Sequence, residues 1–87
     1  MNISIVEIDN LNLSFISADL ALVTTLSLFF PITRIDKQNP RKVLFKFSRN
    51  KKLEAFIDRY WKKEILVEPR TYFDQLKSLK ARIYGNE

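Results

Sequence analysis

The chain has 87 residues, of which 46% are hydrophobic and 13% aromatic, and this profile predicts one packed domain over residues 1–87. It has no Cys, no His and a single Gly, which excludes disulfides, Cys/His zinc sites, His-activated nucleophiles and Gly-rich phosphate loops, so we expect no enzymatic activity, no cofactor and no metal. The net charge of +5 is unevenly spread, because residues 1–33 carry three acidic and no basic side chains, whereas residues 34–87 carry all 15 basic and seven acidic ones.

The first third of the chain predicts a strand followed by a helix. Residues 11–15 alternate apolar and polar side chains, as a half-buried strand does. Residues 1–10 are predicted to form a further strand or a loose arm. Ser17 is predicted to cap a helix over about residues 18–30 that stops before Pro31. Because this helix is apolar on nearly all sides, it is either the central core helix or the interface of a homodimer.

A β-hairpin is predicted next, with strands over residues 32–37 and 42–47 joined by a turn over residues 38–41. Period-two alternation in the second strand divides its side chains between two faces. One face carries Val43, Phe45 and Phe47, and the other carries Lys42, Leu44 and Lys46. The first face is the one predicted to meet the core.

Two helices complete the chain. Asn50 is predicted to cap a helix over about residues 51–63, and Pro69 suits the first turn of a helix over residues 69–84 that ends at Gly85. Their predicted apolar stripes are Leu53, Phe56, Ile57, Tyr60 and Trp61 in the first, and Tyr72, Phe73, Leu76, Leu79, Ile83 and Tyr84 in the second. Stacking of Tyr72 and Tyr84 on bases is the alternative to their packing in the core. The element order β-α-β-β-α-α predicts an α+β fold, with a small antiparallel sheet (the hairpin plus the N-terminal strand) packed by three helices.

Five segments of the chain together resemble a family of short bacterial and phage-associated proteins, the domain of unknown function numbered five-six-five-nine. They are residues 15–21, 45–47, 60–61, 67–70 and 76–84, and the resemblance covers about residues 13 to 84. It implies a bacterial or phage setting and a compact α+β fold, and it supplies no activity. At the start of the second helix, where the family tends to have acidic residues, this chain has Lys51 and Lys52.

The basic run over residues 37–52 has seven Lys or Arg side chains and no acidic one. Lys51 and Lys52 would lie in the first turn of a helix, where positive charge opposes the helix dipole. Free N–H groups beside Lys and Arg suit a phosphate, so the run predicts nucleic-acid binding with little sequence selectivity; solubility alone is the alternative. The predicted contacts are Lys42, Lys46, Arg49, Lys51 and Lys52, helped by Lys77, Lys80 and Arg82 on the third helix.

Tyr60 and Trp61 stand next to two lysines at the end of the second helix. An aromatic pair of this kind is either an interaction site or the closing layer of a small core. The alternative function is therefore a protein–protein adaptor or inhibitor, of phage or mobile-element origin, that acts on a host protein. Its basic face would meet an acidic surface of that partner, or its first helix and the Tyr60–Trp61 pair would pack on the partner. The N-terminus has no basic start and no apolar run approaches the length of a membrane span, so the expected location is the cytoplasm, away from the membrane.

Overall fold

A computed structural model describes residues 13–85 and confirms the α+β fold with the element order β-α-β-β-α-α. The three strands form one antiparallel sheet with the order β1-β3-β2, so β3 is the central strand. Residues 1–10, the predicted strand or arm, and the first two residues of the predicted strand over 11–15 lie outside the described residues. The elements are β1 (Ser14–Ser17), α1 (Leu20–Ser27), β2 (Ile32–Asp36), β3 (Leu44–Ser48), α2 (Lys51–Trp61) and α3 (Pro69–Tyr84).

The hydrophobic core lies on one face of the sheet. Phe45 and Phe47 of β3 are buried on that face, as the predicted alternation requires, while Lys46 lies on the other. All three helices contribute to the same cluster, which comprises Leu22, Val23, Leu26, Phe45, Phe47, Leu53 and Leu79. Within residues 13–85 the helices therefore pack on one face of the sheet and leave the opposite face open.

A β-bulge in β2 decides which of its side chains reach that open face. Ile32 pairs with Phe47 and Arg34 pairs with Lys46, so one residue of β2, Thr33, has no partner position in β3. The Thr33 hydroxyl donates to the Lys46 carbonyl at 3.0 Å. Because of the extra residue, Ile32 packs against the core whereas Arg34, two positions later, lies on the open face.

The start and the end of α1 differ from the prediction. Asp19, not Ser17, is the N-cap, and its carboxylate accepts the N–H of Leu22 at 3.1 Å. Ser17 is still part of β1, and its hydroxyl accepts the N–H of Asp19 instead. The helix ends at Ser27, three residues before the predicted end, because the next two N–H groups bond to carbonyls only three residues earlier.

The middle of α1 is covered by the chain itself. Five consecutive residues, Leu22 to Leu26, are buried, and the helix contacts α3 and β1. The buried hydroxyls of Thr24 and Thr25 donate to carbonyls one turn earlier, so they carry no unsatisfied donor. A homodimer through α1 stays a prediction.

Asn50 caps α2 as predicted, with its side chain accepting the N–H of Leu53 at 2.8 Å. The helix ends two residues before the predicted end, in a Schellman motif. Lys63 adopts the left-handed conformation with φ 63°, and Glu64 donates its N–H to the carbonyl of Arg59. The predicted bounds of α3 are confirmed, and Glu68 is its N-cap.

Three aromatic residues that were predicted to belong to the core stripes lie outside the core. Trp61 at the end of α2 is 61% exposed, and on α3 Phe73 is 54% exposed and Tyr84 77% exposed. Leu53 and Leu79 are buried, so the two stripes exist but are narrower than predicted. A three-stranded sheet offers too little area to cover the flanks of two helices as well as their centres.

Candidate functional site

Two basic side chains face each other on the open face of the sheet. Lys46 of β3 pairs with Arg34 of β2 and, on its other side, with Ile16 of β1. Lys46 is a predicted contact residue, whereas Arg34 was not among the predicted ones. The period-two pattern of β2 would place Arg34 on the same face as Ile32, and only the bulge moves it beside Lys46.

Without a ligand, the pairing of Arg34 with Lys46 lowers the stability of the fold, since like charges directly opposite each other on neighbouring strands destabilise a sheet. The open face also carries Asp36, which pairs with Leu44, but the Asp36 carboxylate accepts the N–H of Gln38 at 2.9 Å. Among the described residues neither Arg34 nor Lys46 has a carboxylate within salt-bridge distance. The pair therefore presents two positive charges to solvent.

A second cluster of positive charge lies where β3 leads into α2. Lys51 and Lys52 are exposed and occupy the first turn of α2, as predicted. The Asn50 side chain satisfies the N–H of Leu53, whereas in residues 13–85 no acceptor bonds to the N–H groups of Lys51 and Lys52. Both the side-chain charges and the helix dipole make this end of α2 positive.

Arg49, the residue after β3, already has protein partners. Its Nε lies 3.8 Å from the Oε2 of Glu54, and its guanidinium carbon lies 5.9 Å from the ring centroid of Phe15. The backbone N–H of Arg49 donates to the carbonyl of Leu13, and this bond extends the pairing of β1 and β3. A phosphate at Arg49 would compete with these contacts. Because Phe15 pairs with Phe47 and packs against the core, Arg49 lies on the helix-covered side of the sheet and not on the open face.

We refer to Arg34, Lys46, Arg49, Lys51 and Lys52 as the β3 basic surface. Arg34 and Lys46 lie on the open face of the sheet, whereas Arg49, Lys51 and Lys52 follow the C-terminal end of β3, where α2 packs on the core side through Leu53. Lys42, the remaining predicted contact of the hairpin, lies before the opposite end of β3. Since β3 has five residues and spans roughly 17 Å, Lys42 and Lys51 lie beyond opposite ends of the strand.

The basic residues of α3 are not brought to the β3 basic surface. Leu79 of α3 packs in the core with Phe45 and Phe47, so α3 lies on the side of the sheet opposite to Lys46. Successive helix residues are about 100° apart, which places Lys80 and Arg82 on opposite flanks of α3. The helix therefore has no single basic face formed by Lys77, Lys80 and Arg82.

One flank of α3 instead combines basic and aromatic side chains. Phe73, Lys77, Lys80 and Tyr84 recur at the spacing of one helix face, and all four are exposed. The Nζ of Lys77 lies 5.5 Å from the ring centroid of Phe73. The sequence favoured core packing for both aromatic residues, with stacking on bases as the alternative for Tyr84, so it did not group them with Lys77 and Lys80 on one flank.

The Tyr60–Trp61 pair lies at the far end of α2. Their rings are edge-to-face with centroids 5.0 Å apart. Burial raises the pKa of the Tyr60 hydroxyl, and the nearby charge of Asp19 adds to the increase. Trp61 lies mostly in solvent beside a notch of about 350 Å³ that Lys63 and Ile65 also line. The pair is thus half anchored in the protein and half accessible to a partner.

In the part of the chain that the structure describes, no three acidic side chains cluster as a metal site would require. No helix among those residues is long and apolar enough to cross a membrane. The model of one protein family, Domain of unknown function (DUF5659), matches residues 14–85. The chain belongs to this family.

The DUF5659 match begins with β1 and ends just after α3, so it covers every element of the described fold. The family description names no activity, ligand or partner. Neither the curated proteins nor the solved structures contain a match to the chain. A function for this DUF5659 chain is therefore inferred from its own residues.

Proposed function

We propose that this chain is a small non-enzymatic protein of the cytoplasm that binds nucleic acid through its phosphates, with the β3 basic surface as the site. The observation that carries the proposal is the pairing of Arg34 with Lys46 on the open face of the sheet. Phosphate oxygens between two such side chains would turn a repulsion within the sheet into two favourable contacts.

The end of α2 supports the same proposal. Lys51 and Lys52 are a second unfavourable placement of charge, and they follow directly after the same strand. Positions at which a chain departs from what stability alone favours are those where function is to be expected. Two departures of one sign, one on the open face of β3 and one beyond its C-terminal end, favour an anionic ligand with repeated charges over a single small anion.

Fluorescence anisotropy of labelled single- and double-stranded oligonucleotides, titrated at several salt concentrations, tests the proposal. If Arg34, Lys46, Lys51 and Lys52 each neutralise one phosphate, log Kobs should fall against log salt with a slope of about −3 for single strands and about −3.6 for duplexes. Binding should depend little on base sequence, because phosphate contacts carry no sequence information.

Two variants that each lose one positive charge show whether binding needs the β3 basic surface or only the net charge of the chain. Lys46→Gln should weaken binding and reduce the salt slope by about one contact, whereas Lys62→Gln, at the other end of α2, should leave both unchanged. Equal losses in the two variants would mean that net charge alone attracts the oligonucleotide. An absence of binding by the unaltered chain at low salt would refute the proposal outright.

A protein–protein adaptor or inhibitor of phage or mobile-element origin is the second candidate, and the exposure of Trp61 favours it. Trp is enriched among residues that dominate binding energy at interfaces, and Leu66, close in sequence, is 90% exposed. The test is a pull-down from a nuclease-treated lysate. A partner protein that the unaltered chain retains and Trp61→Ala does not would support this function. Retention of the partner by Trp61→Ala would exclude Trp61 as its contact.

A further inference from the structure

A groove of about 260 Å³ lies at the edge of the molecule, between the start of α1, the turn before β3 and the end of α3. Its floor is apolar, with Leu20, Val43 and Ile83 among its residues. Its rim carries the exposed side chains of Arg41, Lys42 and Tyr84. An apolar floor beside two positive charges and an aromatic ring suits a ligand that is flat and apolar at one end and anionic at the other.

The two basic residues of the rim are held by a defined turn. The N–H of Lys42 donates to the carbonyl of Asn39 at 2.9 Å, and the N–H of Arg41 donates to the Asn39 side chain, also at 2.9 Å. Pro40 restricts the backbone further. Within the described residues neither side chain has a salt bridge, so both remain available to an anion.

Tyr84 contributes little to the core, since 77% of the residue is exposed. Its neighbour Ile83 points inward and packs against the core, which fixes the backbone of α3 at this position. Lys80, one helix turn earlier on the same flank, adds a further positive charge near the ring. An exposed ring on a fixed backbone with cations around it is the arrangement on which unpaired bases stack.

We propose that this groove takes one unpaired nucleotide of a single-stranded nucleic acid. The base would stack on Tyr84 over the apolar floor, and Arg41 and Lys42 would contact the adjacent phosphates. The volume is below the roughly 300–1,000 Å³ of pockets for drug-sized ligands, so it suits one base and not a longer stack. The inference rests on the proposed function and adds to it a preference for single strands, because bases paired in a duplex cannot enter the groove.

The test compares Tyr84→Ala with the unaltered chain on a single-stranded oligonucleotide and on a duplex of the same sequence. Since stacking on an aromatic residue is worth about 1–3 kcal/mol per base, we expect single-strand affinity to fall by roughly 5- to 150-fold while duplex affinity stays unchanged. Tyr84→Phe should restore binding because it keeps the ring. Phe73→Ala, which removes the other exposed ring of α3 outside the groove, is the matched control and should bind normally.

An oligonucleotide containing the fluorescent base 2-aminopurine gives a second readout. Its fluorescence should be quenched on binding to the unaltered chain and to Tyr84→Phe, and not on binding to Tyr84→Ala. If Tyr84→Ala binds and quenches like the unaltered chain while Lys46→Gln binds weakly, the inference is overturned and the proposed function stands. If the affinity of Tyr84→Ala falls equally for the single strand and for the duplex, the inference is also overturned. If the unaltered chain binds neither, both proposals fail.

Discussion

Reversing the charges at the start of α2 should have opposite effects on stability and on binding. Lys51→Glu with Lys52→Glu replaces two positive charges in the first helical turn, where the dipole favours negative ones. The same change removes two of the proposed phosphate contacts. A variant that folds more stably and binds more weakly would separate a functional cluster from one that serves the fold.

The gain in stability can be worked from the positions of the two residues. A favourable charge in the first turn is worth about 0.3–1 kcal/mol, or roughly 0.6–2 kcal/mol for two. Glu at position 51 would lie three residues from Glu54, and like charges at that spacing cost about 0.2–0.5 kcal/mol. A net gain of about 1 kcal/mol should raise the Tm of a domain of this size by roughly 4–8 °C.

Thermal unfolding by circular dichroism and anisotropy titration are the two assays, and Lys62→Glu with Lys63→Glu is the control. Both double variants lower the formal net charge from +5 to +1, because each replacement changes it by two. The control places negative charge at the end of α2 where the dipole opposes it, so its Tm should fall while its binding changes far less. Equal loss of binding in the two variants would mean that Lys51 and Lys52 are not specific phosphate contacts, and a lower Tm for Lys51→Glu with Lys52→Glu would mean that they do not oppose the helix dipole.

Three further predictions follow from the fold. Lys63→Gly should stabilise the chain by about 0.5–1 kcal/mol in denaturant unfolding, because Gly adopts the left-handed conformation without a Cβ clash, and no gain would contradict the Schellman assignment. Leu26→Ala should lower the free energy of unfolding by about 2–5 kcal/mol, whereas Trp61→Ala should lower it by only about 0.5–1.5 kcal/mol, through loss of the ring pair with Tyr60; a loss at Trp61 as large as that at Leu26 would mean that its ring is buried. Bonds from two N–H groups of α3 lower the pKa of Glu68, so its contribution to stability is present above the ordinary carboxyl pKa and is lost as the pH falls through the lowered value. On acidification the Tm of Glu68→Gln should therefore fall less than that of the unaltered chain. An equal fall would contradict the assignment of the Glu68 carboxylate as the N-cap of α3.

Local signals predicted much of this fold because their causes are local. Asn50 supplies a side-chain acceptor for the start of α2, and Pro69 suits the first turn of α3, whatever the rest of the chain does. The alternation of Phe45, Lys46 and Phe47 likewise placed the inner face of β3. The prediction of the α1 cap was wrong because Ser17 and Asp19, two residues apart, can both act as caps. Ser17 pairs with Phe45 as part of β1, which leaves Asp19 as the cap.

What the sequence did not predict depends on contacts between distant segments. Helix periodicity gives the centre of an apolar stripe but not its width, so Phe73 and Tyr84 were assigned to a core that is too small to reach them. The position of Arg34 depends on a bulge that appears only when β2 pairs with β3. The groove beside Tyr84 joins three segments that are far apart in sequence. The separation of α3 from the β3 basic surface follows from the packing of Leu79.

Amide chemical-shift mapping by NMR, with a short single-stranded oligonucleotide added to the isotope-labelled chain, locates the nucleic-acid contacts residue by residue. If the β3 basic surface is the site, the shifts should follow β3 and the first turn of α2, at Arg34, Lys46, Lys51 and Lys52, and should diminish as salt is raised. Shifts confined to the surroundings of Trp61, or no shifts at low salt, would contradict the assignment of the β3 basic surface as a nucleic-acid site.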